Sequence, residues 1–107
     1  GQMVLQHGKW DSVQVIDSAY ITAMTTPATY LKDERGNVCD WYGYQTWIFP
    51  DGLGFALLGV RGQAVFVHPR LRLVMVQTAV WPASSDLALS RERDAFWRAV
   101  VRAAERM

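Results

Sequence analysis

The chain has 107 residues, enough for one small domain. Its 11 basic and 10 acidic side chains are mixed along the sequence, so nothing indicates a nucleic-acid partner. Half of the residues are hydrophobic, which allows a packed core, but no apolar run has the length of a membrane span, and we expect no membrane partner. Cys39 is the single cysteine, so the chain cannot form an internal disulfide.

The first 30 residues are predicted to be a helical lead-in. Residues 2–7 followed by Gly8 are typical of the end of a helix with a glycine C-cap. Asp17 or Ser18 can cap a second helix that runs to about Met24. Because the sequence begins inside a helical pattern, we expect it to be a piece of a longer protein.

Residues 42–80 are predicted to form an antiparallel meander of three strands. Aromatic and β-branched residues from 42 to 49 are typical of the first strand, and the Pro-Asp-Gly sequence at 50–52 is a strong turn signal. The third strand is predicted over 71–80. Residues 73–76 of this strand are all apolar, which predicts burial on both of its faces.

The second predicted strand is the long apolar stretch from Gly54 to Pro69, which is interrupted by Gly59 and Gly62. Glycines inside a strand pattern indicate a bulge, or the close approach of another backbone or a ligand. Arg61 and Gln63 alternate with the apolar residues at this interruption. If the chain has a site, we expect one wall of it here.

Residues 86–105 are predicted to form a C-terminal helix, with Phe96, Val100 and Ala103 or Ala104 on its apolar side. The fold class is therefore α+β, with this helix packed on one face of the sheet. The other face lacks a covering layer of similar size. We therefore expect a missing segment to cover it, and the isolated chain to form a homo-oligomer.

Several motifs of the chain resemble, in order, the C-terminal portion of serine hydrolases with the β-lactamase/penicillin-binding fold, in particular the 6-aminohexanoate-dimer hydrolase and esterase-like branch. The motifs are Leu5-Gln-His-Gly-Lys-Trp10, Ser18-Ala-Tyr-Ile-Thr-Ala-Met-Thr-Thr-Pro27, Trp41-Tyr-Gly-Tyr-Gln-Thr-Trp-Ile48, Gly59-Val-Arg-Gly-Gln63, Val65-Phe-Val-His-Pro69 and Leu73-Val-Met-Val76. The resemblance implies that residues 1–107 are one C-terminal segment of a larger β-lactamase-like domain. It leaves the compartment open between bacterial cytoplasm and periplasm.

The family's nucleophile is the serine of a Ser-x-x-Lys motif, assisted by a tyrosine from a Tyr-x-Asn-like motif. No serine of this chain has lysine three residues on, and no tyrosine has asparagine two residues on. The resemblance therefore implies an inactive part of an enzyme for small amide or ester substrates, without a cofactor. Its partner would be the N-terminal remainder of the same protein, which supplies the catalytic residues.

The resemblance also implies a role for the Gly59 region. The family has Lys-Thr-Gly or a variant beside the nucleophile, and the following backbone N–H helps to form the oxyanion hole. Residues 57–59, Leu-Leu-Gly, match this motif without its cationic and hydroxyl side chains, which favours amide or ester substrates over β-lactams. The implied donor is the N–H of Val60, with Arg61 as the rival position.

Other interpretations of these residues stay open. Arg61 could bind a substrate carboxylate or make a structural ion pair, and Gln63 could line the cleft or make a structural hydrogen bond. Tyr44 and Trp47 could line a cleft or belong to a core. With five tryptophans and four tyrosines, the chain could instead be a non-catalytic, aromatic-rich binding or interaction module.

Two histidines and one cysteine do not have the spacing of a metal site, so no metal is expected. His68 before Pro69 is predicted to be a turn residue, and Cys39 a passive thiol.

Overall fold

The structure, a computed structural model, describes residues 1–28, 32–37, 40–50 and 52–107 of the chain. In this part the chain forms an α+β domain with antiparallel sheets and a C-terminal helix. The helices are α1 (Gln2–Leu5), α2 (Ser18–Met24) and α3 (Leu87–Glu105). The strands are β1 (Lys9–Trp10), β2 (Val13–Gln14), β3 (Trp47–Ile48), β4 (Phe55–Leu58), β5 (Ala64–His68) and β6 (Leu73–Gln77). Strands β1 and β2 pair as a small hairpin, and β3 to β6 form what we call the main sheet.

The main sheet has the order β3-β4-β5-β6, so the described residues form a meander of four strands and the prediction of three is wrong. The error lies in the stretch 54–69, which forms two strands. Leu58 pairs with Ala64, and Phe55 pairs with Val67, so β5 returns alongside β4.

The reversal between β4 and β5 has a local backbone cause. Gly62 has φ +88° and Arg61 has φ +56°, both in the left-handed region. The N–H of Gly59 donates to the carbonyl of Gln63 at 2.8 Å and closes the turn. The two glycines therefore mark a turn with a short 3₁₀ segment, Val60–Gly62, and the predicted bulge is wrong.

The first predicted strand, 42–49, is also shorter than expected. A tight turn at residues 43–46 folds Tyr42 back onto Trp47, and the N–H of Gly43 donates to the carbonyl of Thr46 at 2.8 Å. Gln45, with φ +52°, takes the left-handed position in this turn. Only Trp47–Ile48 remains to pair with β4.

The core lies between the main sheet and α3. Trp97 is 1% exposed and stacks on Phe66 of β5 with the ring centroids 5.1 Å apart. Val101, one turn later, is also buried, whereas Phe96 is 59% exposed. The prediction that Phe96 faces the sheet is therefore wrong by one position. Asp86, the first residue of the predicted helix, is its N-cap, because its carboxylate accepts the N–H of Leu89 at 2.9 Å.

The other face of the main sheet is covered only in part. Helix α1 contacts β5 and β6, and Val67 is fully buried. Val76 is 63% exposed, so the prediction that residues 73–76 are buried on both faces is wrong at this position.

The lead-in contains α1, the β1–β2 hairpin and α2. Asp17 caps α2 through the N–H of Ala19, and the helix ends at Met24, as predicted. The predictions for residues 29–30 of the lead-in, for the thiol of Cys39 and for Asp51 in the turn lie outside the described residues. No helix of the described ranges is both long and apolar enough to cross a membrane.

Candidate functional site

Gly59, Val60 and Arg61 lie together on the β4–β5 turn, at one end of the main sheet. The Val60 side chain is 67% exposed, and within the described residues we find no acceptor for its backbone N–H. The N–H of Arg61 is occupied, because it donates to the carbonyl of Ser84 at 2.9 Å. Of the two candidate donors, the geometry therefore favours Val60.

The Arg61 side chain points along the segment that follows β6. Its Nη1 donates to the carbonyl of Trp81 at 3.0 Å and to that of Pro82 at 3.1 Å. Nη1 carries two hydrogens, which is enough for both bonds. Part of the guanidinium thus binds backbone carbonyls of residues 79–84, which we call the support segment.

Two glutamines add to this connection. Nε2 of Gln63 donates to the carbonyl of Ala79, and Nε2 of Gln77 donates to the carbonyl of Gly62 at 2.7 Å. The amide group of Gln63 therefore makes a structural hydrogen bond, which is one of the two roles considered for it from the sequence.

The support segment also packs directly on the turn. A Cβ atom at Gly62 would lie 2.5 Å from Cε2 of Trp81, so the indole ring occupies the space above this glycine. The guanidinium carbon of Arg93 lies 5.8 Å from the Trp81 ring centroid and 5.9 Å from that of Phe66. Arg93 is itself held by Asp94, with Nε 2.9 Å from Oδ1. The turn is therefore tied to the core below α3.

The two predicted aromatic residues lie in separate ring clusters. Trp47 stacks on Trp41 with centroids 5.4 Å apart and an interplanar angle of 15°, and Tyr42 meets Trp47 edge-on at 4.9 Å. We call these three residues the aromatic surface, since Trp41 is 47% and Trp47 38% exposed. Tyr44 pairs with Tyr20 at 6.0 Å. Neither predicted residue is part of the core below α3.

Strand β4 connects the aromatic surface with the turn. Trp47 pairs with Ala56, and β3 continues no further than this pair. Ala56 is separated from Gly59 by about 10 Å along the strand. In the described part of the chain, the β3 side of Leu57 and Leu58 is therefore an unpaired strand edge, and the backbone continues from it through Gly59 to Val60.

Sequence reasoning missed Trp81, Gln77 and Arg93, which support the turn. They lie 15 to 31 residues beyond Gly62, and nothing in their local sequence indicates that they meet it. A weak signal was present in Gly62 itself, since close approach of another group is one reason for a glycine within a strand pattern.

The described residues contain no cluster of three or more histidine, cysteine or acidic side chains that could hold a metal ion. His68 is the last residue of β5 and is buried at 2% exposure. Its Nδ1 accepts the N–H of Leu71 at 3.3 Å, and its Nε2 has no partner within the described residues.

Chemically, the β4–β5 turn offers a backbone N–H donor, that of Val60, next to the unpaired edge of β4. The contacts of the support segment hold this turn in place.

Comparison with models of known protein families gave no match, and comparison with curated proteins gave no significant one.

Proposed function

We propose that this chain is the C-terminal part of a serine hydrolase with the β-lactamase/penicillin-binding fold, acting on amide or ester bonds. The main sheet, α3 and the β4–β5 turn are its contribution, and the N-terminal remainder of the protein supplies the nucleophile and its base. The observation that carries the proposal is the N–H of Val60, which has no acceptor within the described residues and lies on a hydrogen-bonded turn next to an unpaired strand edge.

In this proposal the N–H of Val60 donates to the substrate oxygen that becomes negative during the reaction. The serine oxygen attacks the carbonyl carbon, a lysine takes the serine proton, and the charge moves to the former carbonyl oxygen. A donor fixed in advance stabilises this oxyanion without reorganisation, and one such donor is worth about 10²–10³ in kcat.

The side chains next to the donor favour an uncharged substrate group at this position. Leu57 and Leu58 stand where the family has lysine and threonine, so residues 57–59 supply neither a cation nor a hydroxyl group. A β-lactam carboxylate would therefore find neither the cation nor the hydroxyl group that binds it in the family. Neutral amides and esters carry no carboxylate and do not need these partners.

The test uses the protein expressed from its complete reading frame. We expect it to hydrolyse a 4-nitrophenyl ester in a saturable manner and to lose this activity on reaction with a fluorophosphonate. Peptide mapping should place the labelled serine outside residues 1–107. The isolated chain 1–107 is the matched control and should show no saturable turnover. A labelled serine within residues 1–107, or the absence of any fluorophosphonate-sensitive turnover, would contradict the proposal.

A second candidate function is a non-catalytic binding module, and the aromatic surface favours it. Two stacked tryptophans with 38% and 47% exposure leave ring area available to a flat ligand. This candidate predicts ligand binding by the isolated chain, with loss in a Trp41→Ala variant and retention in a Trp10→Ala variant. A panel of aromatic amides and sugars screened by calorimetry tests it, and equal binding by the two variants would contradict it.

A further inference from the structure

The β4–β5 turn has a conformation that its sequence alone would not hold. Arg61 has φ +56°, in the region where a non-glycine residue is disfavoured by about 1–2 kcal/mol. Val60 and Arg61 are both exposed, so burial of their side chains does not fix the turn. Other contacts must therefore hold this conformation. They matter for function because the conformation of the turn sets the direction of the Val60 N–H.

The support segment supplies the necessary contacts, and Arg61 is at their centre. Its backbone N–H donates to Ser84 at 2.9 Å, and its carbonyl accepts the N–H of Trp81 at 3.1 Å. Its Nη1 bridges the carbonyls of Trp81 and Pro82. One residue thus makes four hydrogen bonds to a segment 20 or more residues away.

From this geometry we infer that Arg61 is a positioning residue: through its hydrogen bonds to the support segment it fixes the direction of the Val60 N–H. The inference rests on the proposed function, since the donor matters only if an oxyanion forms in front of it. Arg61 itself does not need to touch the substrate. Its loss should lower kcat, because the transition state loses a well-aimed donor, and should leave KM nearly unchanged.

A competing role for Arg61 would be to bind a substrate carboxylate through Nε and Nη2. That role predicts a different kinetic result: KM for an anionic substrate would rise, and KM for a neutral substrate would not. Comparing a neutral with an anionic 4-nitrophenyl ester separates the two roles.

The informative variant is Arg61→Asn in the complete protein. Asparagine tolerates the left-handed backbone but is too short to bridge the two carbonyls. Arg72→Asn is the matched control, because Arg72 is also an exposed arginine with positive φ (+54°), and it lies in the β5–β6 turn. Arg61→Lys tests rescue, since its ammonium group can donate to the same carbonyls.

We expect kcat per fluorophosphonate-titrated active site to fall about 10–100-fold in Arg61→Asn, with KM for both esters within about twofold. Arg72→Asn should keep the wild-type kcat, and Arg61→Lys should recover part of the loss. Normalising to titrated sites removes the effect of unfolded protein. If the wild type is active, two results for Arg61→Asn would overturn the inference: an unchanged kcat, or a rise in KM for the anionic ester alone. Either result would leave the proposed function standing. An inactive wild type would instead overturn the proposed function, and the inference with it.

Discussion

Replacing Gly62 with alanine would place a methyl group against the indole ring of Trp81. The new Cβ would lie 2.5 Å from Cε2 and 2.7 Å from Nε1, and both distances are shorter than van der Waals contact allows. Gly62 also has φ +88°, so any side chain there is strained whatever the space. The substitution therefore combines a backbone cost with a steric one.

The magnitude follows from these two parts. Left-handed backbone costs a non-glycine residue about 1–2 kcal/mol. Forcing a methyl group into a packed site typically costs about 1–3 kcal/mol more. We therefore expect Gly62→Ala to lower the free energy of unfolding by about 2–5 kcal/mol.

Urea denaturation of the wild type and the variants measures this loss. Gly36→Ala is the matched control, because Gly36 has φ +83° and none of the described residues lies within 4 Å of its added Cβ, so it should show the backbone cost alone. In a Trp81→Ala background, Gly62→Ala should lose its steric part, which a double-mutant cycle isolates as a coupling of about 1–3 kcal/mol. Equal losses at Gly62 and Gly36, together with zero coupling to Trp81, would refute the packing of the support segment on the turn.

Two further predictions concern α3 and the loop at 33–37. Trp97→Ala should lower the free energy of unfolding by about 3–5 kcal/mol, whereas Phe96→Ala should change it by less than about 1 kcal/mol. Urea denaturation measures both values. Equal losses would contradict the packing of Trp97, and not Phe96, on the main sheet. The N–H groups of Asn37 and Arg35 donate to Asp33 and hold the pKa of its carboxyl below the ordinary value. Because the folded pKa is the lower one, the stability from Asp33 is present above the unfolded pKa and is lost as the pH falls through the folded pKa. Carboxyl NMR titration should find this lowered value, and an ordinary pKa for Asp33 would contradict it.

Much of the fold could be predicted from local signals. The cap at Asp17 and the helical period of the C-terminal helix each depend on neighbouring residues, and the structure has both features. The three-strand prediction failed because an apolar run with glycines fits either one bulged strand or two strands with a tight turn. The left-handed backbone at Arg61 decides between them, and an arginine gives no sequence sign of it.

In the candidate site, too, local sequence signals indicated some features, whereas tertiary contacts decided the others. The glycines around Val60 indicated an irregular backbone there, but as a bulge within one strand and not as the exposed turn that the structure has. The occupation of the Arg61 N–H by Ser84, 23 residues later, is a tertiary contact with no local pattern. The error of one position on α3 has a similar cause, because Phe96 and Trp97 are adjacent and comparably apolar. Packing against Phe66 then selects Trp97.

Val60→Pro tests most directly whether the Val60 N–H is the oxyanion donor. Proline removes that N–H, and the backbone accepts it: Val60 is not among the residues with positive φ, and Gly59, with φ −114° and ψ 176°, has the extended conformation that a residue before proline requires. Val60→Ala shortens the side chain and keeps the donor. In the complete protein we predict that Val60→Pro retains the wild-type fold and loses about 10²–10³ in kcat for the 4-nitrophenyl ester, while Val60→Ala keeps kcat. A folded Val60→Pro protein with wild-type kcat would contradict the account.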